Sequence, residues 1–330
     1  MEVATIDAHA GGEPLRVVTG GLPLVPGETM LAKRRWFKAN LDSVRTALMW
    51  EPRGHPDMYG AVLTEPVTPD GDLGVLFLHN EGYSTMCGHG VIALVTVLFE
   101  TGVLDPAAGL EVRLDTPAGR VTARADLAGG RVVRVTFENV ASFAAALDLR
   151  VTVPGWGEFP CDLGFGGAFY AYGPAGAVGL GLEPRETPRL VAAGRAVKAA
   201  VAPVVALEHP GDLDLAFLYG VIFDGPAGSA GADLRNVCVF ADGEVDRSPT
   251  GTGVSGRLAI LHARGRLAVG GTLTVESIVG SRFTGRIVRE TRVGRFPAII
   301  PEIGGDAWIT GRHAFLIPPG DPLGEGFLVR

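Results

Sequence analysis

The chain has 330 residues, 47% of them hydrophobic and 20% charged, with a formal net charge of −7. That length allows two domains of about 150 residues each, and the composition is that of a folded globular protein rather than a disordered one. The acidic balance argues against nucleic acid or an anionic membrane as a partner, three scattered cysteines (Cys87, Cys161, Cys238) exclude a disulfide framework, and no apolar run reaches the roughly 20 residues that span a bilayer. The first residues carry acids and lack a basic-then-apolar leader pattern, so a reducing, cytoplasmic setting is expected. No Cys-x-x-Cys or His-x-x-x-His spacing suggests a metal site.

In chain order, residues 4–7 end a short strand, residues 9–14 turn, and residues 15–18 form the next strand, closed at Gly20-Gly21-Leu22-Pro23. Residues 29–50 read as a helix with one apolar face, and their many basic residues are expected on a solvated face. Pro52 to Pro56 breaks that pattern; residues 59–63 and 74–78 read as buried strands. Glu81-Gly82-Tyr83-Ser84-Thr85 is a polar turn. It leads to Met86-Cys87-Gly88-His89-Gly90, and then to nine almost wholly apolar residues ending at Phe99.

A thiol therefore sits where a loop becomes a buried helix. Backbone N–H groups at a helix start lack internal partners and carry the positive end of the dipole. Gly88 and Gly90 lack side chains, so an anionic ligand can come close to those groups. A cysteine there is expected to hold its thiolate more readily than a free thiol, which at pH 7 is only about 3% ionised. The helix is expected to stop at Thr101-Gly102, and residues 110–114 form a further strand.

The second half repeats the plan. Cys87-Gly88-His89-Gly90 matches Thr250-Gly251-Thr252-Gly253 at an offset of 163 (250 − 87). At the same offset Val75-Leu76-Phe77 matches Cys238-Val239-Phe240, Gly102 matches Gly265, and residues 110–114 match residues 273–277. Asp7, Gly11 and Gly12 match Asp162, Gly166 and Gly167 at an offset of 155 (162 − 7). The expected architecture is α/β (α+β): two pseudo-twofold-related domains, each a mostly antiparallel sheet around a central helix. The first domain is residues 1–124, completed by residues 309–330. The second is residues 125–308, and the active site is expected in the cleft between them. Residues 173–181 and 225–231 read as Gly/Ala-rich loops. Cys161 and Cys238 lie in strand-like runs and are expected in the core.

Two such helix starts can hold one small carboxylate, with Cys87 as the base that takes an α-proton and the N–H groups stabilising the charge that develops. Met86-Cys87-Gly88-His89-Gly90 and Asp246-Arg247-Ser248-Pro249-Thr250-Gly251-Thr252-Gly253 resemble the two signature stretches of the proline racemase family, which is related in fold to diaminopimelate epimerase. Gly11 to Arg16, Glu51 to His55 and Phe165 to Tyr170 fit as well, so the resemblance covers essentially the whole chain. It implies an imino acid substrate, a homodimer, and neither metal, pyridoxal phosphate nor nucleotide. It implies that Cys87 is the proton acceptor and that Gly88, His89, Asp246, Gly251 and Thr252 touch substrate, with Asp246 suited to the ring ammonium.

Position 250 departs from the racemases and 2-epimerases of the family, which resemble one another in carrying a second cysteine there. A threonine hydroxyl is a poor acid and a worse base, so inversion loses its second half. The cysteine–threonine pairing is similar to that of trans-3-hydroxy-L-proline dehydratases, which eliminate water to give Δ1-pyrroline-2-carboxylate. Thr250 would then only position the ring. Proline racemase or 4-hydroxyproline 2-epimerase activity is the alternative. Gly88-x-Gly90-x-x-Ala93 and Gly251-x-Gly253-x-x-Gly256 also match the dinucleotide fingerprint. Each, however, lies ten or eleven residues beyond its strand, where a Rossmann unit turns almost at once. A silent imino-acid-binding protein is a further reading. Arg16, Arg53 and Tyr170 receive no role from the sequence, and His9 and His55 are expected to be structural or supporting.

Overall fold

A computed structural model of the protein describes residues 1–329. Its elements in chain order are β1 (Glu2–Ala10), β2 (Glu13–Gly20), α1 (Met30–Met49), β3 (Tyr59–Thr64), β4 (Leu73–His79), β5 (Gly82–Ser84), α2 (Gly88–Glu100), β6 (Glu111–Thr116), β7 (Gly119–Ala128) and β8 (Arg131–Glu138). There follow β9 (Ser142–Val153), β10 (Gly157–Phe165), β11 (Phe169–Pro174), α3 (Thr187–Val201), β12 (Leu218–Gly225), β13 (Leu234–Phe240), β14 (Glu244–Asp246), α4 (Gly251–Ala263), β15 (Thr272–Glu276), β16 (Arg282–Val293), β17 (Phe296–Gly305) and β18 (Ala307–Leu316). They divide into two compact units, Met1–Phe137 with Asp306–Arg330, and Glu138–Gly305. The sequence suggested borders at 124/125 and 308/309; in the structure β7 and nearly all of β8 group with the first unit.

In the first unit β1 is antiparallel to both β18 and β2. From there β2 runs parallel to β3, β3 antiparallel to β4, β4 antiparallel to β5 and parallel to β6, and β6 antiparallel to β7. Helix α2 lies against β1, β18, β2, β3 and β7, and residues 88–99 are all buried. A helix apolar around its whole circumference is one enclosed on every side, which is why its sequence shows no polar face. The helix ends as expected: Gly102 takes a left-handed φ of 73°, and Thr101 Oγ1 donates to the Val97 carbonyl at 2.7 Å.

The second unit closes on itself. β9 pairs with β10, β10 with β11, β11 (in parallel) with β12, β12 with β13, β13 (in parallel) with β15, β15 with β16, β16 with β17, and β17 returns to β9. Helix α4 lies inside this eight-stranded ring, against β9, β10, β11, β16 and β17, while α3 packs on β9, β12, β13 and β14. Each step from β10 to β16 has a counterpart from β1 to β7, parallel for parallel. β14 stands on β13 as β5 stands on β4. Gly265 ends α4 at φ 68°, matching Gly102.

Two local expectations are corrected. The turn expected over residues 9–14 is only Gly11-Gly12, whose φ values of 60° and 91° make a two-residue hairpin loop. His9 pairs with Pro14 and Ala10 with Glu13, so β1 is nine residues long, and its polar end residues hid that length. In α1, Lys33 and Arg45 are buried rather than solvated. Lys33 Nζ donates to the Glu65 carbonyl at 3.0 Å, and Arg45 Nη1 donates to the carbonyls of His79 and Asn80 at 3.0 and 2.5 Å. Helix α3 is a further element, with Leu190, Ala193, Gly194, Val197 and Val201 buried.

Candidate active site

The sequence-predicted residues form two clusters, one in each unit. In the first, the β4–β5 hairpin delivers the chain to Cys87, the residue that caps α2. Arg45 holds the carbonyls of the hairpin turn, Trp50 Nε1 donates to the Asn80 carbonyl at 2.8 Å, and Tyr83 OH donates to Asp42, the ion-pair partner of Arg45. Cys87 has extended backbone angles (φ −142°, ψ 112°), and its Sγ accepts a hydrogen bond from the Gly90 N–H at 3.3 Å. The thiol thus occupies the place of a capping oxygen, where an N–H donor and the helix dipole stabilise negative charge on sulfur.

His89 folds back on the same sulfur, with Nδ1 at 3.3 Å and Nε2 at 3.6 Å from Sγ. Its ring meets Tyr59 edge-on at 4.8 Å, and Tyr59 OH donates to Ser84 Oγ at 2.6 Å. Cys87, Gly88 and His89 are all buried. At Gly90 a Cβ would stand 2.6 Å from the Phe77 ring and 2.9 Å from Cys87 Sγ. The missing side chain at 90 is therefore required by packing on β4, a reason distinct from the ligand approach suggested by the sequence.

The second cluster differs in detail. Thr250 occupies the capping position of α4, yet its φ is +61° and its side chain caps nothing. For a β-branched residue that backbone region is a genuine outlier. Three bonds hold it. Thr250 Oγ1 donates to Asp246 Oδ2 at 2.8 Å, Thr250 N donates to Ser248 Oγ at 3.1 Å, and Ser248 N donates to Asp246 Oδ1 at 2.7 Å. Asn236 Nδ2, from β13, donates to the Pro249 carbonyl at 3.1 Å and braces the turn from below. Asp246 thus accepts at both oxygens, and the Thr250 hydroxyl is a donor to a carboxylate. A carboxylate offers about four acceptor sites, so room for a cationic donor remains.

Gly251 and Thr252 open α4, both buried. The Gly251 carbonyl accepts from Ser255 Oγ at 2.9 Å, and Thr252 Oγ1 shares a 2.8 Å hydrogen bond with Tyr170 OH. Burial holds the Tyr170 phenol well above its ordinary pKa, so it stays an O–H. Tyr170 thereby gains the role the sequence could not give it, and Tyr172 OH adds a bond to the Gly253 carbonyl at 3.0 Å. Gly166, in the β10–β11 turn, packs so closely on the α4 start that a Cβ would meet the Thr252 carbonyl at 2.1 Å.

The other residues of the matching stretches bind neighbouring parts of the chain. Arg16 pairs with Asp7 at 2.8 Å and donates to the carbonyls of Leu48 and Arg53, both at 2.6 Å. Arg53 binds the Leu316 carbonyl at 3.0 Å and Asp321 at 3.3 Å. His9 Nδ1 accepts from the Gly12 N–H at 3.3 Å, and His55 Nδ1 lies 2.7 Å from the Pro56 carbonyl. Cys161 and Cys238 are buried, and burial together with neighbouring Asp162 pushes the Cys161 thiol up to about 11. Among the described residues no group of three or more His, Cys, Asp and Glu side chains is placed to hold a metal, and no helix is long and apolar enough to cross a membrane.

Comparison with known proteins places the chain in a family. A family model described as proline racemase matches residues 5–328. A trans-3-hydroxy-L-proline dehydratase of Burkholderia cenocepacia is 47% identical over 329 residues, 99% of this chain and 98% of that protein. A 3-hydroxyproline 2-epimerase of Burkholderia multivorans is 46% identical over 329 residues, again 99% of this chain and 98% of the relative. Among solved structures, a hydroxyproline epimerase of Agrobacterium vitis with bound trans-4-hydroxy-L-proline is similar at a TM-score of 0.93 and 34% identity, over 99% of this chain and 95% of that one. By its two signature stretches, its repeated fold and these relatives, the chain belongs to the proline racemase family.

Proposed function

We propose that this protein is a hydro-lyase that converts trans-3-hydroxy-L-proline to Δ1-pyrroline-2-carboxylate without a cofactor. The observation that carries the assignment is the inequality of the two helix starts. Cys87 presents a sulfur that accepts an N–H bond, whereas Thr250 presents a hydroxyl that donates its hydrogen bond to Asp246. Several relatives at 45–47% identity carry the dehydratase name, which supports the same reading.

In this mechanism the N–H groups at Gly88 and Gly251 and the Thr252 hydroxyl serve as donors to the substrate carboxylate, and Asp246 serves as partner to the ring ammonium. The Cys87 thiolate removes the α-proton, forming S–H as the C2–H bond breaks. The electron pair forms the C2–C3 double bond and the C3–O bond breaks. In the trans substrate the hydroxyl lies on the face of the α-hydrogen, so the elimination is syn. The proton needed by the departing hydroxide comes from the new Cys87 thiol directly or through His89, 3.3 Å from the sulfur. The enamine then tautomerises to the Δ1 imine. Thr250 positions the ring and exchanges no proton with carbon.

The test is incubation of the purified protein with trans-3-hydroxy-L-proline, followed by NMR. Pyrroline-2-carboxylate is the expected product. Accumulation of cis-3-hydroxy-D-proline with no pyrroline would instead establish the 2-epimerase reading, which the name of the Burkholderia multivorans relative favours. The same assignment carries with it a cytoplasmic setting, a homodimer, and no part for nucleic acid; light scattering on the purified protein tests the dimer.

A further inference from the structure

We propose a second activity for the same site: exchange of the α-proton of L-proline with solvent, with retention of configuration. This rests on the dehydratase assignment and extends it to cyclic imino acids that lack a 3-hydroxyl. L-Proline offers the carboxylate, the ring ammonium and the α-hydrogen that the site is built to hold, but no leaving group on C3. Once Cys87 has taken the proton, the carbanion has one exit, which is to take a proton back.

The structure assigns that proton to one donor. Thr250 Oγ1–H is committed to Asp246 Oδ2 at 2.8 Å, a charge-assisted bond, while the other oxygen of Asp246 is held by the Ser248 N–H at 2.7 Å. To protonate carbon, Thr250 would have to abandon that bond and leave an alkoxide beside a carboxylate, two negative charges in a buried turn. Its backbone, fixed at φ +61° and tied to Ser248 Oγ at 3.1 Å, confines the side chain near that direction. At Cys87, return of the proton regenerates a thiolate that the Gly90 N–H stabilises at 3.3 Å. The acid that is easiest to ionise is therefore the one that has just been formed, on the face from which the proton came.

Exchange also needs the thiol to trade its proton with water before it returns it. His89 lies 3.3 Å and 3.6 Å from Sγ through its two ring nitrogens, so the imidazole can take the thiol proton and return a solvent one. The cycle balances: C2–H breaks as S–H forms, S–H becomes S–D through His89, and S–D breaks as C2–D forms. No electrons leave and no co-reactant is required.

The experiment is run on the wild-type protein in deuterated water, with L-proline in one sample and trans-3-hydroxy-L-proline in a second. Proton NMR follows the α-hydrogen and chiral chromatography follows the enantiomers. The expected result is complete loss of the L-proline α-proton signal with L-proline as the sole enantiomer, and loss of that exchange in Cys87→Ser with an unchanged circular dichroism spectrum. Accumulation of D-proline overturns the proposal, because it reveals an acid on the far face. Persistence of the α-proton signal while the hydroxylated sample is dehydrated also overturns it and leaves the dehydratase assignment standing. Retentive exchange without dehydration supports the one-sided site and removes the dehydratase assignment.

Discussion

Replacing Gly90 by alanine tests how tightly the start of α2 is seated. The added methyl would stand 2.6 Å from Phe77 Cε1 and 2.9 Å from Cys87 Sγ, where ordinary contact begins at 3.4 Å. The helix start and β4 must therefore part by about 0.8 Å, the shortfall between those distances. Phe77 is fully buried and cannot swing aside. In an open helix Gly→Ala would add about 0.5–1 kcal/mol of stability, whereas overpacking a core costs about 1–3 kcal/mol. The clash outweighs that gain by up to about 2.5 kcal/mol, and at roughly 2–4 °C per kcal/mol for a unit of this size the melting temperature should fall by up to about 10 °C. The larger effect is catalytic, because the displaced atoms include the sulfur and the N–H that holds it. Misplacement of a reacting group by about 1 Å costs about 100-fold, so kcat for the dehydration should drop roughly 10- to 100-fold. The assays are thermal unfolding by circular dichroism and product formation at saturating substrate. Phe77→Leu in the Gly90→Ala background should restore part of the rate by making room for the methyl. A Gly90→Ala protein with unchanged rate and a raised melting temperature would refute the reasoning, showing that the helix start is not pressed on β4.

The remaining predictions concern the two helix starts and their supports. Cys87→Ala should abolish turnover of trans-3-hydroxy-L-proline, whereas Thr250→Ala should keep a measurable fraction; equal loss in steady-state assays would contradict the division of labour between them. Thr250→Cys should add epimerisation of proline-type substrates, read by chiral chromatography, and a folded variant without it would mean that position 250 does not set the reaction alone. Arg45→Met removes a buried guanidinium from the carbonyls of His79 and Asn80. Its partner Asp42 is 41% exposed and resolvates, so the loss should be about 2–3 kcal/mol rather than the full cost of a buried pair, visible as a melting shift of roughly 4–12 °C.

Glu276 gives the pH test. Burial pushes its carboxyl up, but bonds from Arg235, Ser229 and the Gly228 N–H outweigh this and hold it at about 2, below its ordinary 4.5. A depressed folded-state pKa stabilises above 4.5, and that stabilisation is lost as pH falls from 4.5 to about 2. Melting temperatures of Glu276→Gln should therefore be lower than wild type at neutral pH and converge with it across that window; parallel curves would show that Glu276 titrates unperturbed.

The repeat was the most legible feature of the chain, because strand, turn, helix and cap are each written in local residue types. The offset that links Cys87 to Thr250 also links Gly102 to Gly265, and both glycines end their helices in the left-handed region. What stayed hidden depends on partners distant in sequence. Lys33 and Arg45 look like a solvated face until carbonyls from residues 65, 79 and 80 arrive to receive them. Tyr170 meets Thr252 from 82 positions away, so no window of residues could pair them. The strain at Thr250 is partly local, since Asp246, Ser248 and Thr250 alternate along one stretch, but Asn236 completes it from another strand. Helix α3 was readable: Leu190, Ala193, Gly194, Val197 and Val201 form its buried stripe at helical spacing.

The pairing of β1 with β18 has a consequence for synthesis. Residues 138–305 are contiguous and contain every strand of the closed ring, so that unit can complete as soon as it leaves the ribosome. The first unit is begun earlier and finished later, because Glu2 to Ala10 find their outer neighbour only when Leu316 to Ala307 emerge. Until then a nine-residue strand presents an unsatisfied edge, the feature through which nascent chains pair with one another. Translation stalled or terminated after residue 305 should yield a protein that self-associates through its amino-terminal strand, and a synthetic peptide of residues 307–316 supplied in trans should suppress that association.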